Sequence, residues 1–191
     1  MRKISNKKPV AVFLDRDGVI NTEVDNLRKL EDLKILPKVP QALKLLNQFG
    51  IPAIVITNQP VVARGWLTQK GVREIHQKIA EILGKSGAKI SDFYFCPHHP
   101  EANLKRYRIV CDCRKPEVGL FKKAAKKYKV DLKKSYIIGD SFRDIEAGKK
   151  LGATTIFVKT GTGDLRDSKP GHALKDLYDA VRFILKKEGL L

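Results

Sequence analysis

The apolar and polar positions of the chain alternate between short, almost continuous apolar runs and longer stretches of helical periodicity. The apolar runs predict five strands, which cover residues 10–15, 52–58, 91–96, 135–140 and 154–161. The helical stretches cover residues 39–50, 67–87, 117–129, 144–153 and 173–189. Apolar strands that alternate with helices are typical of a mainly parallel sheet with helices on both faces. The pattern therefore predicts an α/β fold of this kind.

Polar side chains stand at the carboxyl ends of three of the predicted strands. In open parallel sheets, ligands bind just outside these ends. Residues that are far apart in the sequence are therefore predicted to meet in one crevice. These residues are Asp15 and Asp17 after the first strand, Thr57 and Asn58 on the second, and Asp140 and Asp144 at and after the fourth.

The end of the first strand is unusual because two carboxylates follow an apolar run. Asp15 and Asp17 are two residues apart, so on an extended chain they face the same side and repel each other. Burying an isolated carboxylate is also costly unless another group pairs with it. A hard divalent cation removes both difficulties, and Mg²⁺ prefers oxygen ligands of this type. Asp15 and Asp140 are predicted to hold this cation together.

The same residues form a plausible site for phosphoryl transfer. Asp15 is predicted to attack phosphorus as the nucleophile. Asp17 is predicted to protonate the leaving oxygen and then to activate the water that hydrolyses the aspartyl phosphate. Thr57 and Lys115 are predicted to stabilise the phosphoryl oxygens. Asp144, one helical turn beyond Asp140, is predicted to orient Lys115 or the waters of the metal.

A second group of residues has the spacing of a metal site. Cys96 and His98 are separated from Cys111 and Cys113 by twelve residues, which gives a C-x-H and C-x-C pattern. Four such ligands suit a closed, tetrahedral structural zinc site, with His99 as the rival histidine ligand. The alternatives are free cysteines beside an unrelated histidine, or a disulfide that would leave one of the three thiols unpaired. We name residues 96–113 the zinc loop.

Length and composition fit one globular domain that covers residues 1–191. The net charge of +17 favours anionic partners or a lysine-rich exterior, and the run 122–134 supports the second interpretation because its alanines can face inward at helical spacing. The basic amino terminus has an apolar run too short for a secretory signal, and no run is long enough to span a membrane. We expect a cytoplasmic monomer.

The motifs FLDRDGVI, VITNQ, CRKP and IGDSFRD resemble, in this order, the four motifs of the haloacid-dehalogenase-like hydrolases. The resemblance implies a Rossmann-like core and a Mg²⁺-dependent phosphatase that acts through a phosphoaspartyl intermediate. It also implies that Asp17 contributes its backbone carbonyl to the metal. An aspartate at this position is what the phosphatases of the superfamily have and what its dehalogenases lack.

With CPHHP and CDCRKPEVG, the chain is similar to the heptose bisphosphate and histidinol-phosphate phosphatase group. This likeness implies a small phosphorylated sugar as substrate. The substrate it implies first is D-glycero-D-manno-heptose 1,7-bisphosphate, from which the 7-phosphate is removed. It implies that Arg114 recognises the substrate and that Asn58 and Gln59 line its pocket. The chain departs from the group at Pro60 and Val61, which replace a small polar pair, and at Ser141, which replaces a lysine.

Two further observations concern the preferred substrate. Only 39 residues separate Asp17 from Thr57, and 57 separate Thr57 from Lys115, so no cap domain is expected and the zinc loop is the main cover of the site. Residues 23–26 replace a Gly-Tyr pair of the group and are matched to its pocket positions. Glu23 or Asp25 could contact an amine, which keeps histidinol phosphate open as an alternative.

Three other functions remain open at this point. A phosphatase for nucleic-acid 3′ ends fits the basic charge, although the chain has no motif for duplex recognition. A sugar-phosphate mutase normally needs a cap that retains its intermediate. A non-catalytic, zinc-stabilised binding module would leave the aspartates without a role.

Overall fold

The computed structural model describes residues 9–191, and six strands of this part form one sheet. Their order is β3-β2-β1-β4-β5-β6, and every neighbouring pair is parallel. The expectation about a secretory signal falls partly on residues 1–8, which lie outside the described residues. The strands are β1 Val12–Leu14, β2 Ala53–Asn58, β3 Asp92–Cys96, β4 Tyr136–Gly139, β5 Thr154–Val158 and β6 His172–Leu174.

Helices cover both faces of the sheet, as the apolar pattern predicts. Alternate residues of the central strand β1 point to opposite faces, so Val12 and Leu14 join one core and Phe13 joins the other. The first core is closed by α1, α3 and α6, and the second by α4 and α5. The helices are α1 Val39–Gln48, α2 Pro60–Ala63, α3 Gln69–Lys85, α4 Gly119–Tyr128, α5 Phe142–Leu151 and α6 Leu177–Lys187.

The lysine-rich run near α4 is arranged as its pattern indicates. Phe121, Ala124 and Ala125 are buried against the second core, whereas Lys122 and Lys126 are exposed. The lysines of this helix therefore belong to a solvated surface.

The α/β fold is confirmed, with several local corrections, among them the short helix α2, which the apolar pattern does not predict. The strand β6 is an addition, because Ala173 and Leu174 were predicted to begin the last helix. That helix instead begins at Leu177, because the side chain of Asp176 accepts a hydrogen bond from the Asp179 N–H and caps the first turn. The first strand starts at Val12, two residues later than its apolar run.

The two long connections that flank the carboxyl ends of the strands are irregular. Between β1 and α1 the chain has one short 3-10 turn, Leu30–Asp32, and between β3 and α4 it has another, Lys105–Tyr107. Neither connection in the described chain contains a separate cap domain. None of the helices in residues 9–191 is both long and apolar enough to cross a membrane.

Candidate active site

The carboxyl ends of β1, β2 and β4 meet at one cleft with a volume of about 360 Å³. The parallel order places β1 between β2 and β4, so the residues that follow these strands converge. Asp144 lies just behind the cleft and is buried. We name Asp15, Asp17, Lys115, Asp140 and Asp144 the catalytic floor. The predicted site residues that line the cleft are Asp15, Asp17, Thr57, Asn58, Gln59, Arg114, Lys115 and Asp140.

Lys115 lies at the centre of the floor with only 2% of its surface exposed. Its Nζ is 2.9 Å from Asp15 Oδ1 and 2.6 Å from Asp144 Oδ1. Burial alone would lower the pKa of Lys115, but the carboxylates of Asp144 and Asp15 raise it. The ammonium is therefore held charged beside the predicted nucleophile. Its main chain is fixed by Asn58, whose Oδ1 accepts from the Lys115 N–H at 2.9 Å and whose Nδ2 donates to the Lys115 carbonyl at 3.0 Å.

The carboxylates of Asp15 and Asp140 are not fully balanced by Lys115. Burial, with smaller contributions from Asp144 and Asp17, raises the pKa of Asp15 to about 6 against the opposing charge of Lys115. Burial and the charges of Asp15 and Asp144 raise the pKa of Asp140 to about 7. A divalent cation would relieve this repulsion.

The donor atoms fit such a cation. One oxygen each of Asp15, Asp140 and Asp144 lies within 4.8 Å of the others. Asp144 is already engaged, because Lys115 contacts its Oδ1 and the Ser141 hydroxyl donates to its Oδ2 at 2.8 Å. This leaves Asp15 and Asp140 as the carboxylates available to a hard cation such as Mg²⁺.

Close backbone approach positions the Asp140 carboxylate. A Cβ on Gly18 or on Gly161 would overlap Asp140 Oδ2, so both positions require glycine. Gly18 also has a φ of +74°, which a side chain would strain. The N–H of Gly163 donates to Asp140 Oδ2 at 3.1 Å.

The Asp17 carboxylate is surrounded by hydrogen-bond donors. Arg16 Nη2 lies 2.8 Å from both of its oxygens, and Arg16 Nε donates to Oδ1 at 3.1 Å. Asn21 Nδ2 donates to Oδ1 at 2.9 Å, and Gln59 Nε2 donates to Oδ2 at 3.0 Å. Gln59 Nε2 is also 3.0 Å from the Thr57 hydroxyl. Burial would raise the pKa of Asp17, but Arg16 and these hydrogen bonds hold it below its usual value.

The three cysteines and His98 come together as their spacing predicts. Cys113 Sγ lies 3.0 Å from the sulfurs of Cys96 and Cys111 and 3.2 Å from His98 Nδ1. Four converging sulfur and imidazole ligands fit tetrahedral Zn²⁺. Burial raises the pKa of Cys96 to about 11, and a bound cation would favour the thiolate instead. His99 lines the active-site cleft and is not part of this cluster.

One side of the cleft is cationic. Arg64, His99, Arg114 and Arg143 line it, and we name them the cationic wall. Burial, together with the charge of Arg143, lowers the pKa of Arg114. Burial and the charges of Arg114 and Arg64 lower the pKa of His99. Within residues 9–191, none of the three guanidinium groups pairs with a carboxylate. The wall therefore has positive charge available to an anion.

The residues 23–26 also line the cleft, through Glu23, Asp25 and Asn26. Burial and the charges of Asp17 and Asp15 raise the pKa of Glu23. Asp25 and Asn26 have φ values of 38° and 72°, so the backbone turns sharply at the edge of the site. This segment offers acidic and amide groups that can contact hydroxyls or an amine.

The three departures from the resembled group have local explanations. Pro60 is the first residue of α2, where its missing N–H costs no helical hydrogen bond. Val61 packs with Val62 and Val72 under this helix. The Ser141 hydroxyl contacts Asp144 and thus supports the partner of Lys115.

Sequence reasoning missed several residues of the site: Arg16, Asn21, Arg64, His99 as a cleft residue, Arg143, Thr162 and Gly163. Arg16 had a readable signal, because a charge between two aspartates at a buried strand end needs a partner. The wall residues come from three separate segments, namely the end of α2, the β3–α4 connection and the first turn of α5, so no local pattern joins them.

Comparison with known proteins gives three findings. A hydrolase-like family model, described as "HAD-hyrolase-like", matches residues 112–180. The chain is 43% identical over 142 residues to the D-glycero-beta-D-manno-heptose-1,7-bisphosphate 7-phosphatase of Rhodopseudomonas palustris, which covers 74% of this chain and 79% of the relative. It is 41% identical over 157 residues to the D-glycero-alpha-D-manno-heptose-1,7-bisphosphate 7-phosphatase of Photorhabdus laumondii, with 82% of this chain and 85% of the relative covered.

A solved structure gives the same indication. The D,D-heptose 1,7-bisphosphate phosphatase from B. bronchiseptica, complexed with magnesium and phosphate, superposes with a TM-score of 0.81 at 29% sequence identity. The superposition covers 93% of this chain and 99% of that chain. The similarity therefore extends over nearly the whole of both chains.

Proposed function

Because the chain belongs to the haloacid-dehalogenase-like hydrolases, in the family of the D-glycero-D-manno-heptose-1,7-bisphosphate 7-phosphatases, we propose that it removes the 7-phosphate of such a heptose bisphosphate. The observation that carries the proposal is a cleft that places Asp15, Asp17 and Lys115 on its floor and an unpaired cationic wall beside them. This arrangement suits a substrate with one phosphate to be hydrolysed and a second to be bound.

The reaction proceeds in two displacements. A carboxylate oxygen of Asp15 forms a bond to phosphorus while the bond from phosphorus to the sugar oxygen breaks, and Asp17 gives a proton to that oxygen. A water then attacks the aspartyl phosphate, Asp17 takes up its proton, and the bond between phosphorus and Asp15 breaks. Thr57 and Lys115 stabilise the phosphoryl oxygens in both steps.

Asp15, Asp140 and the backbone carbonyl of Asp17 would hold Mg²⁺. The cation supplies charge neutralisation of the carboxylates and of the phosphoryl group. Asp144 acts behind them, since its contact with Lys115 fixes the position of the ammonium group.

The cationic wall binds the phosphate on carbon 1 in this proposal. Arg114 is its central member, because its Nη1 is held 3.2 Å from the His98 carbonyl and it directly precedes Lys115. Curated relatives include enzymes for both the alpha and the beta anomer, so the family alone leaves the anomer open.

The zinc loop contributes structure. We propose that Cys96, His98, Cys111 and Cys113 hold Zn²⁺ and thereby fix the residues that follow Cys113. The single sheet supports one domain, and we propose a monomer with a cytoplasmic location.

Histidinol phosphate is the second candidate substrate. Glu23 and Asp25 favour it, because a carboxylate beside the cleft can bind the amine of that substrate.

The test is Mg²⁺-dependent phosphate release from a panel of substrates, with Asp15→Asn as the blank. The panel contains both anomers of heptose 1,7-bisphosphate, histidinol phosphate, p-nitrophenyl phosphate and a 3′-phosphorylated oligonucleotide. We expect a kcat/KM for one heptose anomer at least tenfold above every other substrate. Equal, slow hydrolysis of all substrates would overturn the heptose assignment, and release no faster than the blank would overturn the phosphatase assignment.

A further inference from the structure

Arg16 is a completely buried arginine that the proposed reaction does not use. Its exposed fraction is 0%, and its guanidinium contacts Asp17 through both Nε and Nη2. The remaining nitrogen, Nη1, is 3.5 Å from His76 Nε2, whose ring stacks on Phe93 at a centroid distance of 4.7 Å. The guanidinium is thus held from behind by a helix and a strand and faces the cleft only through Asp17.

The main chain of Arg16 also arranges the other contacts of Asp17. Its carbonyl accepts hydrogen bonds from the N–H groups of Ile20 at 2.8 Å and Asn21 at 3.1 Å. This turn returns the chain so that Asn21 Nδ2 reaches Asp17 Oδ1. Gln59, the residue after β2, completes the set and links Asp17 to the Thr57 hydroxyl through one amide nitrogen.

A role in stability alone does not explain this arrangement. Arg16 and Asp17 are neighbours in sequence, so their ion pair closes no loop and joins no distant elements. Burying both charges is costly, and an apolar pair would often be at least as stable. The contact of two Arg16 nitrogens with Asp17, which we name the fork, fixes the plane of the Asp17 carboxylate, because a two-nitrogen contact defines orientation as well as distance.

We propose that Arg16 is a positioning residue that orients the Asp17 carboxylate toward the leaving oxygen, and that Gln59 couples this orientation to Thr57. This inference rests on the proposed function, since it gives Asp17 the general-acid role described above. Gln59 then acts mainly within the protein, and its exposed fraction of 2% agrees with that role. Orientation matters because a misplacement of about 1 Å can reduce a rate by about a hundredfold.

The kinetic test compares leaving groups in Arg16→Lys, which keeps the charge and removes the fork. The quantity measured is kcat/KM, because it reports only the steps up to the departure of the leaving group. Departure of a sugar alkoxide needs the proton of Asp17, whereas p-nitrophenolate leaves without it. We expect kcat/KM to fall by about thirtyfold for the sugar phosphate, and by less than about threefold for p-nitrophenyl phosphate.

A second variant tests the same role if Arg16→Lys folds poorly, and a control and a double variant accompany it. Gln59→Leu removes the amide while keeping the side-chain size, and the same selective loss is expected at about fivefold. Arg73→Lys, on the exposed side of α3, is the matched control and should leave both substrates unchanged. In the Asp17→Asn background, Arg16→Lys should cause little further loss, because residues that act as a unit are not additive.

A crystal structure of Arg16→Lys tests the positioning role without measuring activity. The Asp17 carboxylate is expected to rotate or shift relative to wild type while Asp15 and Lys115 stay in place. An unmoved carboxylate, an equal loss of kcat/KM for both substrates, or a full additional loss in Asp17→Asn would each overturn the positioning role. Failure of wild type itself to release phosphate would instead count against the proposed function.

Discussion

The catalytic floor and the cationic wall are both charged and close together, but they balance their charge differently. On the floor, Lys115 contacts two carboxylates and Asp17 is paired with Arg16. On the wall, the three guanidinium groups have no carboxylate partner in the described part of the chain. In the proposed function, a cation therefore completes the charge balance of the floor, and the substrate completes that of the wall. We expect substitutions on the floor to lower kcat and the free energy of unfolding, and substitutions on the wall to raise KM for the substrate.

The largest effect is expected for the lysine of the floor. Lys115→Met leaves Asp144, which is 1% exposed, as an unpaired buried charge and removes a stabilising contact to the phosphoryl oxygens. We expect kcat to fall by at least about a thousandfold and the free energy of unfolding to fall by about 3 kcal/mol. Phosphate release and urea unfolding measure the two effects. Lys150→Met breaks the exposed pair with Glu117 and serves as the control, with activity unchanged.

A smaller effect is expected at the zinc loop, which joins the floor to the wall. Cys111→Ser removes one ligand, so Arg114 loses its fixed position, while Lys115 keeps its two hydrogen bonds to Asn58. We expect kcat/KM for the bisphosphate to fall by about tenfold to a hundredfold, and that for p-nitrophenyl phosphate to fall less. Metal analysis must show less bound zinc. Full activity of zinc-free protein would contradict a role of the zinc loop in substrate selection.

The wall itself should affect KM. Arg143→Gln removes one unpaired cation, and we expect KM for the bisphosphate to rise by about tenfold with kcat little changed. The matched control is Arg166→Gln, because both guanidinium groups lie over the Phe142 ring but only Arg143 lines the cleft. Equal effects of the two variants would show that packing on Phe142 is what matters.

The smallest effect on activity is expected for His76, behind the floor. Burial and the charge of Arg16 lower the pKa of His76 to about 3, so its neutral form is favoured in the folded state. The unfolded state, with a pKa near 6.5, binds a proton first as the pH falls, so stability is present above pH 6.5 and is lost between pH 6.5 and 3. His76→Phe should remove this loss.

Urea unfolding of wild type and His76→Phe at pH 7 and at pH 4.5 measures the difference. We expect the variant to gain about 2 kcal/mol relative to wild type at the lower pH. An identical pH dependence of the two proteins would show that His76 is protonated in the folded state.

The sequence predicts the floor better than the wall for a physical reason. Asp15 and Asp140 directly follow apolar strands, and the parallel order of the sheet brings such positions together. The fold class and the family resemblance are confirmed by the sheet and by the comparisons. The roles of individual site residues and the single-domain boundary stay predictions.

What the sequence could not predict depends on loop geometry. Arg64 follows α2 and Arg143 lies in the first turn of α5, and only the folded chain shows that they face the same cleft. The edge strand β6 was missed because three residues are too few to show a period of two, and Ala173 and Leu174 also fit the helical pattern that follows.

The position of the cysteine cluster has a consequence for how the enzyme can change over evolution. Cys96 ends β3, and Cys113 stands two residues before Lys115, so the ligands clamp both ends of residues 99–110. Between these ends the segment is also tied to α2, because the Leu104 N–H donates to the Ala63 carbonyl and Ala102 is buried. Changes within residues 99–110 would therefore reach the cleft through His99, while Lys115 and the residues of the catalytic floor keep their positions.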